Sequence, residues 1–575
     1  MSRVVSVVVL DVWKDRRVHI MLTKINNFAA TEYTKMLPVH VSKRGRLTIG
    51  AAALLTLSMI FGRCPPCAMR AFAASDAKDA ITDQRDSLGN RIPDFSNCGY
   101  AGADRDIPDV PDRITVTPGG GDDGPRIQAA IERLAAVPVD EHGFHGSVWL
   151  APGRFDVGGQ IRITHSGIVL RGSGAGKGGT ALVATGKDRR PLVRVEGTAN
   201  RHFTGDSKHR VMDEYVPVGA RRLRLDSIAN LKVGDTVLVI RPSTREWIDA
   251  IAMNAFGVAW KPGTRDVRWD RVITRIEGNV IVLDAPITTA IERRFGGASV
   301  EAYDWPGRIS NVGIEDLSLE SEYATGHPQD EDHAWFGVTV NDVQNAWVAR
   351  VEFRHFAGGA VTLWENTKHV TVEDCISLDP ISELAGYRRR TFFTQGQLSL
   401  FLRCYSANGR HDFAVGHCAA GPNAFVNCRA AEAHGSSGPV ESWASGVLYD
   451  NVRIDGAALE LENRWMAPPG AGWSAANCVV WQCQAAMICA FRPPTANNWA
   501  IADWGQFAGD ATFANRCDFV RPISLYQSQL RSRRGERAAA PIGLGLVNPI
   551  SSTNPTLAEA AQFAAQSTHP ARQLI

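Results

Sequence analysis

Four short segments in the second half of the chain share one design. Leu398–Tyr405, Ala424–Ala430, Val447–Ile454 and Cys478–Ala485 each alternate apolar residues at period two, meet a small or polar residue, and turn. Cys404, Cys428, Asn451 and Cys483 sit at matching places, with steps of 24, 23 and 32 residues. The long third step carries the Pro/Gly-rich stretch Ala467–Gly472. A repeat of this length, built from strands without a helix, predicts a coil of parallel strands. One coil cannot bury its inward face alone, but stacked coils can, because each strand bonds to those above and below. Asn311–Leu319, Trp347–Phe353 and Val370–Ile376 fit the same design.

The repeat also places chemistry. Arg388, His411 and His434 are 23 residues apart, as are Glu441 and Arg464. Residues one turn apart in a solenoid lie nearly above one another, so this spacing predicts a stripe of Arg, His and His beside an acid–base pair. The alternative is that unequal turns shift the phase and scatter them.

A chain of 575 residues with 53 Gly suits one solenoid with many tight turns and an insertion. A formal net charge of +2 carries no strong nucleic-acid footprint. Arg44-Gly45-Arg46 precedes an apolar run from Leu47 to Phe61, and Ala71-Phe72-Ala73 supplies a small–x–small cleavage pattern. The run is too short to span a bilayer. It reads as a leader over residues 1–74, with Met36 as a second candidate start, and predicts a secreted or periplasmic protein without a membrane anchor. Two of the eleven cysteines, Cys64 and Cys67, fall in that leader. The other nine sit mostly inside strand segments and read as small buried apolar residues, not as a disulfide framework.

Beyond the leader, residues 75–204 read as an N-terminal cap with the first coils. Asp86–Asp104 is a polar strap, and Asp122 or Asp123 caps a helix Pro125–Ala136 whose Ile127, Ala130, Ile131 and Leu134 share one face. Residues 205–300 break the coil pattern with antiparallel segments, including a turn at Gly278-Asn279, and read as an inserted β-rich subdomain. Within it, Arg241–Trp260 reads as a lid, a substrate wall or a brace. Residues 301–530 form the main coil, and 531–575 cover its end. Pro328–His333 is an acidic loop whose oxygens would suit Ca²⁺ or simply a solvated turn.

The succession DDGPRIQAAI, GSVWLAPGRFDVGGQIRI and SGIVLRGSG resembles the N-terminal cap and first coils of the pectin-lyase-like (pectate lyase superfamily) right-handed parallel β-helices. The resemblance covers roughly residues 85–200 and, more loosely, 305–520. It implies an all-β solenoid, and it leaves the reaction open, because one fold hosts many chemistries. The family's WIDH-like motif reads here Trp247-Ile248-Asp249-Ala250, inside the insertion. An RxPxxR match, Arg189–Arg194, comes early in the chain. The polygalacturonase set NTD, DD, GHG and RIK is absent from the coil region.

The densest polar stretch is 383–473. Its guanidinium groups suit carboxylate or sulfate, and its indoles suit sugar faces. β-Elimination on a uronate-containing polysaccharide would use His411 or His434 as base, Tyr387 as acid, and Asp412 to orient a histidine. Arg388, Arg410, Arg464, Asn463, Trp443 and Trp473 would bind the substrate. Hydrolysis is the alternative, with Asp412, Glu441, Glu460 and Glu462 as the carboxyl candidates. A non-catalytic glycan-binding surface protein is the third reading.

Overall fold

The computed structural model describes residues 84–543, apart from Phe256 and Pro469, together with the backbone of three N-terminal strands. Those strands, Val5–Leu10, His19–Lys24 and Tyr33–Pro38, pair antiparallel within a separate unit, Met1–Asp76. The apolar run Leu47–Phe61, the cleavage pattern, Cys64 and Cys67 lie outside the described residues.

In the larger unit the chain winds as a right-handed parallel β-helix. One hydrogen-bonded column runs through Ser147, Val169, Gly313, Trp347, Thr371, Leu400, Ala424, Leu448, Val479, Trp499 and Thr512. Backbone pairing is thus satisfied from coil to coil, which leaves side chains free to fill the bore. Phe401, Phe425 and Tyr449 stack there nearly parallel, with ring centroids 4.6 and 5.2 Å apart.

The corner after this column is a second repeat. Asp316, Arg350, Asp374, Arg403, Asn427, Asn451, Gln482, Ala502 and Asn515 all hold left-handed backbone, with φ between 50° and 60°. Asn and Asp tolerate that region because their side chains bond locally. Asn451 therefore belongs to the corner. Val452 takes the inward place beside Cys428 and Cys483, and its N–H donates to the Cys483 sulfur. Among the described residues the nine cysteines form no disulfide with one another, and seven are buried. Asn427 also donates to the Ile542 carbonyl. Asn427→Val, β-branched at positive φ, is expected to lose about 2 kcal/mol in urea denaturation. Asn427→Gly, which fits the corner, is expected to lose less.

The helix Gly124–Ala135 covers the first coils with Ile127, Ala130, Ile131 and Leu134 buried. The Asp123 carboxylate does not cap it; it turns back to the Gly119 N–H and to Arg126. The strap runs along one outer side, where Ile92, Phe95 and Cys98 pack with the helix Leu525–Arg534 against Leu400, Leu402, Leu448 and Trp481. The described part of the C-terminal segment thus lies along the flank of the coil.

Between the coil strands Pro191–Glu196 and Ile309–Ser321 stands an antiparallel sheet. Its order is His202–Phe203, Ser299–Asp304, Thr236–Arg241, Val267–Glu277, Val280–Leu283, Arg222–Arg224. The expected turn at Gly278-Asn279 joins Glu277 to Val280. The stretch Arg241–Trp260 is a brace. Its short helix Arg245–Ala250 buries Trp247 edge-on against Trp443 of the coil, 4.7 Å between ring centroids. Charge fixes the same contact. Arg271, fully buried, donates to Gln397 and to the carbonyls of Ala285, Pro286 and Gly421. Asp270 receives Arg308 at 2.5 Å and Lys368 at 2.9 Å. No helix among the described residues is long and apolar enough to cross a membrane.

Candidate active site

A second parallel sheet of the coil is built from Ile161–Ile163, Pro191–Glu196, Phe336–Asn341, Gly359–Leu363, Phe392–Thr394, Phe413–Val415 and Gly438–Pro439. The Ser437–Leu459 bridge leads on to Arg453–Leu461. Outside its core, Phe336, Trp364 and Phe393 meet edge to face, 6.4 and 6.3 Å between centroids.

Register explains why the expected stripe does not form. Phe392 pairs with Phe413 and Ala414 with Gly438, so successive offsets are 21 and 24 residues. The His411 N–H consequently meets the Arg389 carbonyl, and the His434 N–H meets that of Gly409. Arg388 points elsewhere: its guanidinium grips Glu331 through two bonds of 2.6 and 2.8 Å and covers Trp335. Glu331 comes from the acidic loop Pro328–His333, where Asp330 accepts from the Ala324 and Asp332 N–H groups. That loop spends its carboxylates on the chain itself. Among the described residues no group of three or more His, Cys, Asp and Glu is arranged to hold a metal.

Several candidate roles are corrected by burial. Trp443 is sealed between coil and insert and offers no face to a sugar. Asp412 orients no histidine; it lies inside the coil, its Oδ1 accepting from Thr391 and Ser406, and burial pushes its carboxyl up to about 6. His411 is 6 % exposed, with Nδ1 on the Ser436 carbonyl at 2.6 Å. Burial pulls its pKa down to about 3, with Arg464, Arg410 and Arg390 adding to the effect, so it is a poor proton acceptor. Asn463 caps its own turn, accepting from the Trp465 N–H. Trp473 packs half-buried against the insert. His434 is exposed at a turn.

A different set converges. Glu441, 5 % exposed, receives Arg390 at 2.6 Å, Gln395 at 3.0 Å and the His417 N–H at 2.8 Å. Burial opposes its charge, but the Arg390 guanidinium and these bonds prevail and hold the carboxyl below its ordinary range. Gly416 makes room for it: a Cβ there would stand 2.8 Å from Glu441 Oε2 and 2.5 Å from Phe393.

Glu460, near the end of its strand, and Glu462, just past that end, share a hydrogen bond, and Arg464 Nη1 lies 3.1 and 3.9 Å from them. Burial and the Glu460 charge push the Glu462 carboxyl up to about 7. Arg390, paired with Glu441, and Arg464, paired with Glu460, both act electrostatically on His411 and Arg410, which links the two ion pairs through one basic cluster. Tyr387, 48 % exposed, has Arg390 over its ring at 4.5 Å. Trp465, 58 % exposed, stands beyond Arg464.

Of the residues expected from the sequence, Glu441, Arg410, Arg464 and Tyr387 lie at this cluster, and Arg390, Gln395 and His417 join them without having been singled out. The spacings of those last three are 5 and 22 residues, so no common period marks them.

Fold and site define a parallel β-helix protein with an acidic–basic surface cluster. No protein-family profile matches the chain, and no curated protein does. Among solved structures it is similar to the tailspike protein gp49 of Pseudomonas phage LKA1, at 12 % identity and TM-score 0.35, covering 68 % of this chain and 70 % of that one. It is also similar to the tailspike of E. coli bacteriophage HK620, solved with a pentasaccharide, at 13 % identity and TM-score 0.35. That match covers 70 % of this chain and 64 % of the tailspike. A third similar structure is a mutant of DFA-IIIase from Arthrobacter chlorophenolicus A6 in complex with DFA-III, at 12 % identity and TM-score 0.32, covering 76 % and 93 %. These likenesses concern the winding of the chain, and no residue role is carried over from them.

Proposed function

We propose that this is a carbohydrate-acting enzyme that hydrolyses glycosidic bonds in an acidic polysaccharide, with Glu462 as general acid and Glu441 as the ionised partner. The observation that carries the reading is the opposite displacement of two carboxyls around one basic cluster: Glu462 is pushed up to about 7, and Glu441 is held below its ordinary range. Such a division is what acid–base work on one bond requires. Arg410, which donates to the Gly386 carbonyl, faces the same cluster and favours an anionic chain. Trp465 offers an open indole face for a sugar ring. The leader-like N-terminal sequence supports a secreted or periplasmic site of action.

β-Elimination is the second reading, favoured by the guanidinium cluster Arg390, Arg410 and Arg464, which suits a uronate carboxylate. His411 serves it poorly, because it is sealed and resists protonation.

The test incubates the chain with a panel of uronate-containing and neutral polysaccharides. New reducing ends without an unsaturated uronate chromophore are the expected result. Chromophore appearing in step with the reducing ends would replace hydrolysis by elimination. Binding with no product would leave a glycan-binding protein.

A further inference from the structure

The insert and the coil enclose a cleft of about 170 Å³ lined by Arg201, Asp266, Arg268, Trp305, Glu365 and His417, among others. It begins where the candidate active site ends, because Gln395 and His417, which line it, both bond to Glu441 Oε2.

Most of its charges are already matched. Asp270 is taken by Arg308 and Lys368. Asp266 accepts from the Ser243 N–H and hydroxyl, and Arg268 lies 3.3 Å from its other oxygen. Arg201 differs. Its guanidinium lies over Trp305 at 4.7 Å and Tyr303 at 5.5 Å, and it forms no ion pair or hydrogen bond among the described residues. Trp305 is itself fixed, donating to the Thr198 carbonyl at 2.7 Å and flanked by Arg308 at 4.9 Å. A half-buried planar fork, held by ring faces with its N–H groups unspent, is prepared for a planar oxyanion. By contrast, Arg388, Arg390 and Arg464 already hold carboxylates of the chain.

We propose that this cleft is a subsite for a carboxylate-bearing sugar, with Arg201 receiving the carboxylate in two parallel hydrogen bonds. Its position relative to the bond cleaved rests on the hydrolase reading; the binding itself does not. The insert then serves substrate selection as well as bracing: it supplies Asp266 and Arg268 to the wall and Arg201 at its root.

The experiment is calorimetric titration of the full chain with glucuronate and galacturonate, and with glucose and galactose as neutral counterparts, at constant ionic strength. The wild type is expected to bind at least one uronate and neither neutral sugar. Arg201→Gln is expected to weaken that binding at least tenfold, and Arg201→Lys, which keeps the charge but not the fork, to weaken it less. Far-UV circular dichroism checks that both variants fold. Glu462→Gln is expected to bind the uronate as the wild type does. Unchanged uronate binding in Arg201→Gln would overturn the proposal, as would equal binding of neutral sugar or no uronate binding by the wild type. If Glu462→Gln still cleaves polysaccharide while Arg201→Gln loses uronate, the hydrolase reading fails and the subsite stands.

Discussion

Glu462→Gln is expected to lower kcat on a polysaccharide substrate by a factor of about 10² to 10⁴, the usual contribution of a positioned general acid. The pH profile makes the assignment specific. A general acid works while protonated, and burial with the Glu460 charge lifts this carboxyl from an ordinary 4.5 to about 7. The wild-type rate should therefore hold up to about pH 7 and fall tenfold per unit above it, and the variant should lack that descending limb. An aryl glycoside with an acidic leaving group needs little protonation, so its loss should be much smaller. Stability carries the same sign. A raised carboxyl pKa means the folded state binds the proton more tightly than the unfolded chain does. That contribution is full below about 4.5 and is lost as pH rises through about 7. The Gln variant should be at least as stable as the wild type at pH 8, a pH chosen as roughly one unit above that midpoint. Equal rates of wild type and variant on polysaccharide would remove Glu462 from the mechanism.

Asp270→Asn is expected to cost about 3–5 kcal/mol, because it leaves the two buried cations Arg308 and Lys368 without their shared anion. Asp270 is itself buried, yet Lys368 and Arg308 hold its carboxyl well below the usual range. A depressed carboxyl contributes stability at every pH above its unfolded value and loses it only in strong acid. The loss should therefore be visible at neutral pH in urea denaturation. It should also be local at first. Limited proteolysis ought to cut the insert, residues 202–304, before the coil, since the coil keeps its own ladder and core. An unchanged denaturation midpoint would mean the network holds the insert only weakly.

The coil was legible because period-two strands and small residues recur where each turn must stack on the last. Cys404 and Cys428 do occupy one inward column. The cap helix was legible from its apolar face. Asn451 misled because corner residues also recur, one place away, and a polar residue at a tight corner looks like a member of the neighbouring column. The site was legible as a region but only in part as residues. Turns of unequal length moved His411 and His434 out of line, and strand edges hid Asp412 and Trp443. What packs into a coil depends on phase, and phase is set by loops whose lengths carry no visible rule. The Arg201 cleft was beyond reach, since its walls come from segments far apart in sequence, joined only once the insert is docked.

The thiol file inside the bore has a bearing on how the chain matures. Burial pushes the Cys404 thiol well up and that of Cys478 to about 12, so in the native molecule these two present almost no thiolate to an oxidant. The unfolded chain has no such shelter. Oxidant added to the finished protein should leave these buried thiols unchanged. The same oxidant added during winding should trap crosslinked, unwound material, so yield on folding, rather than durability afterwards, is where redox conditions would leave their mark.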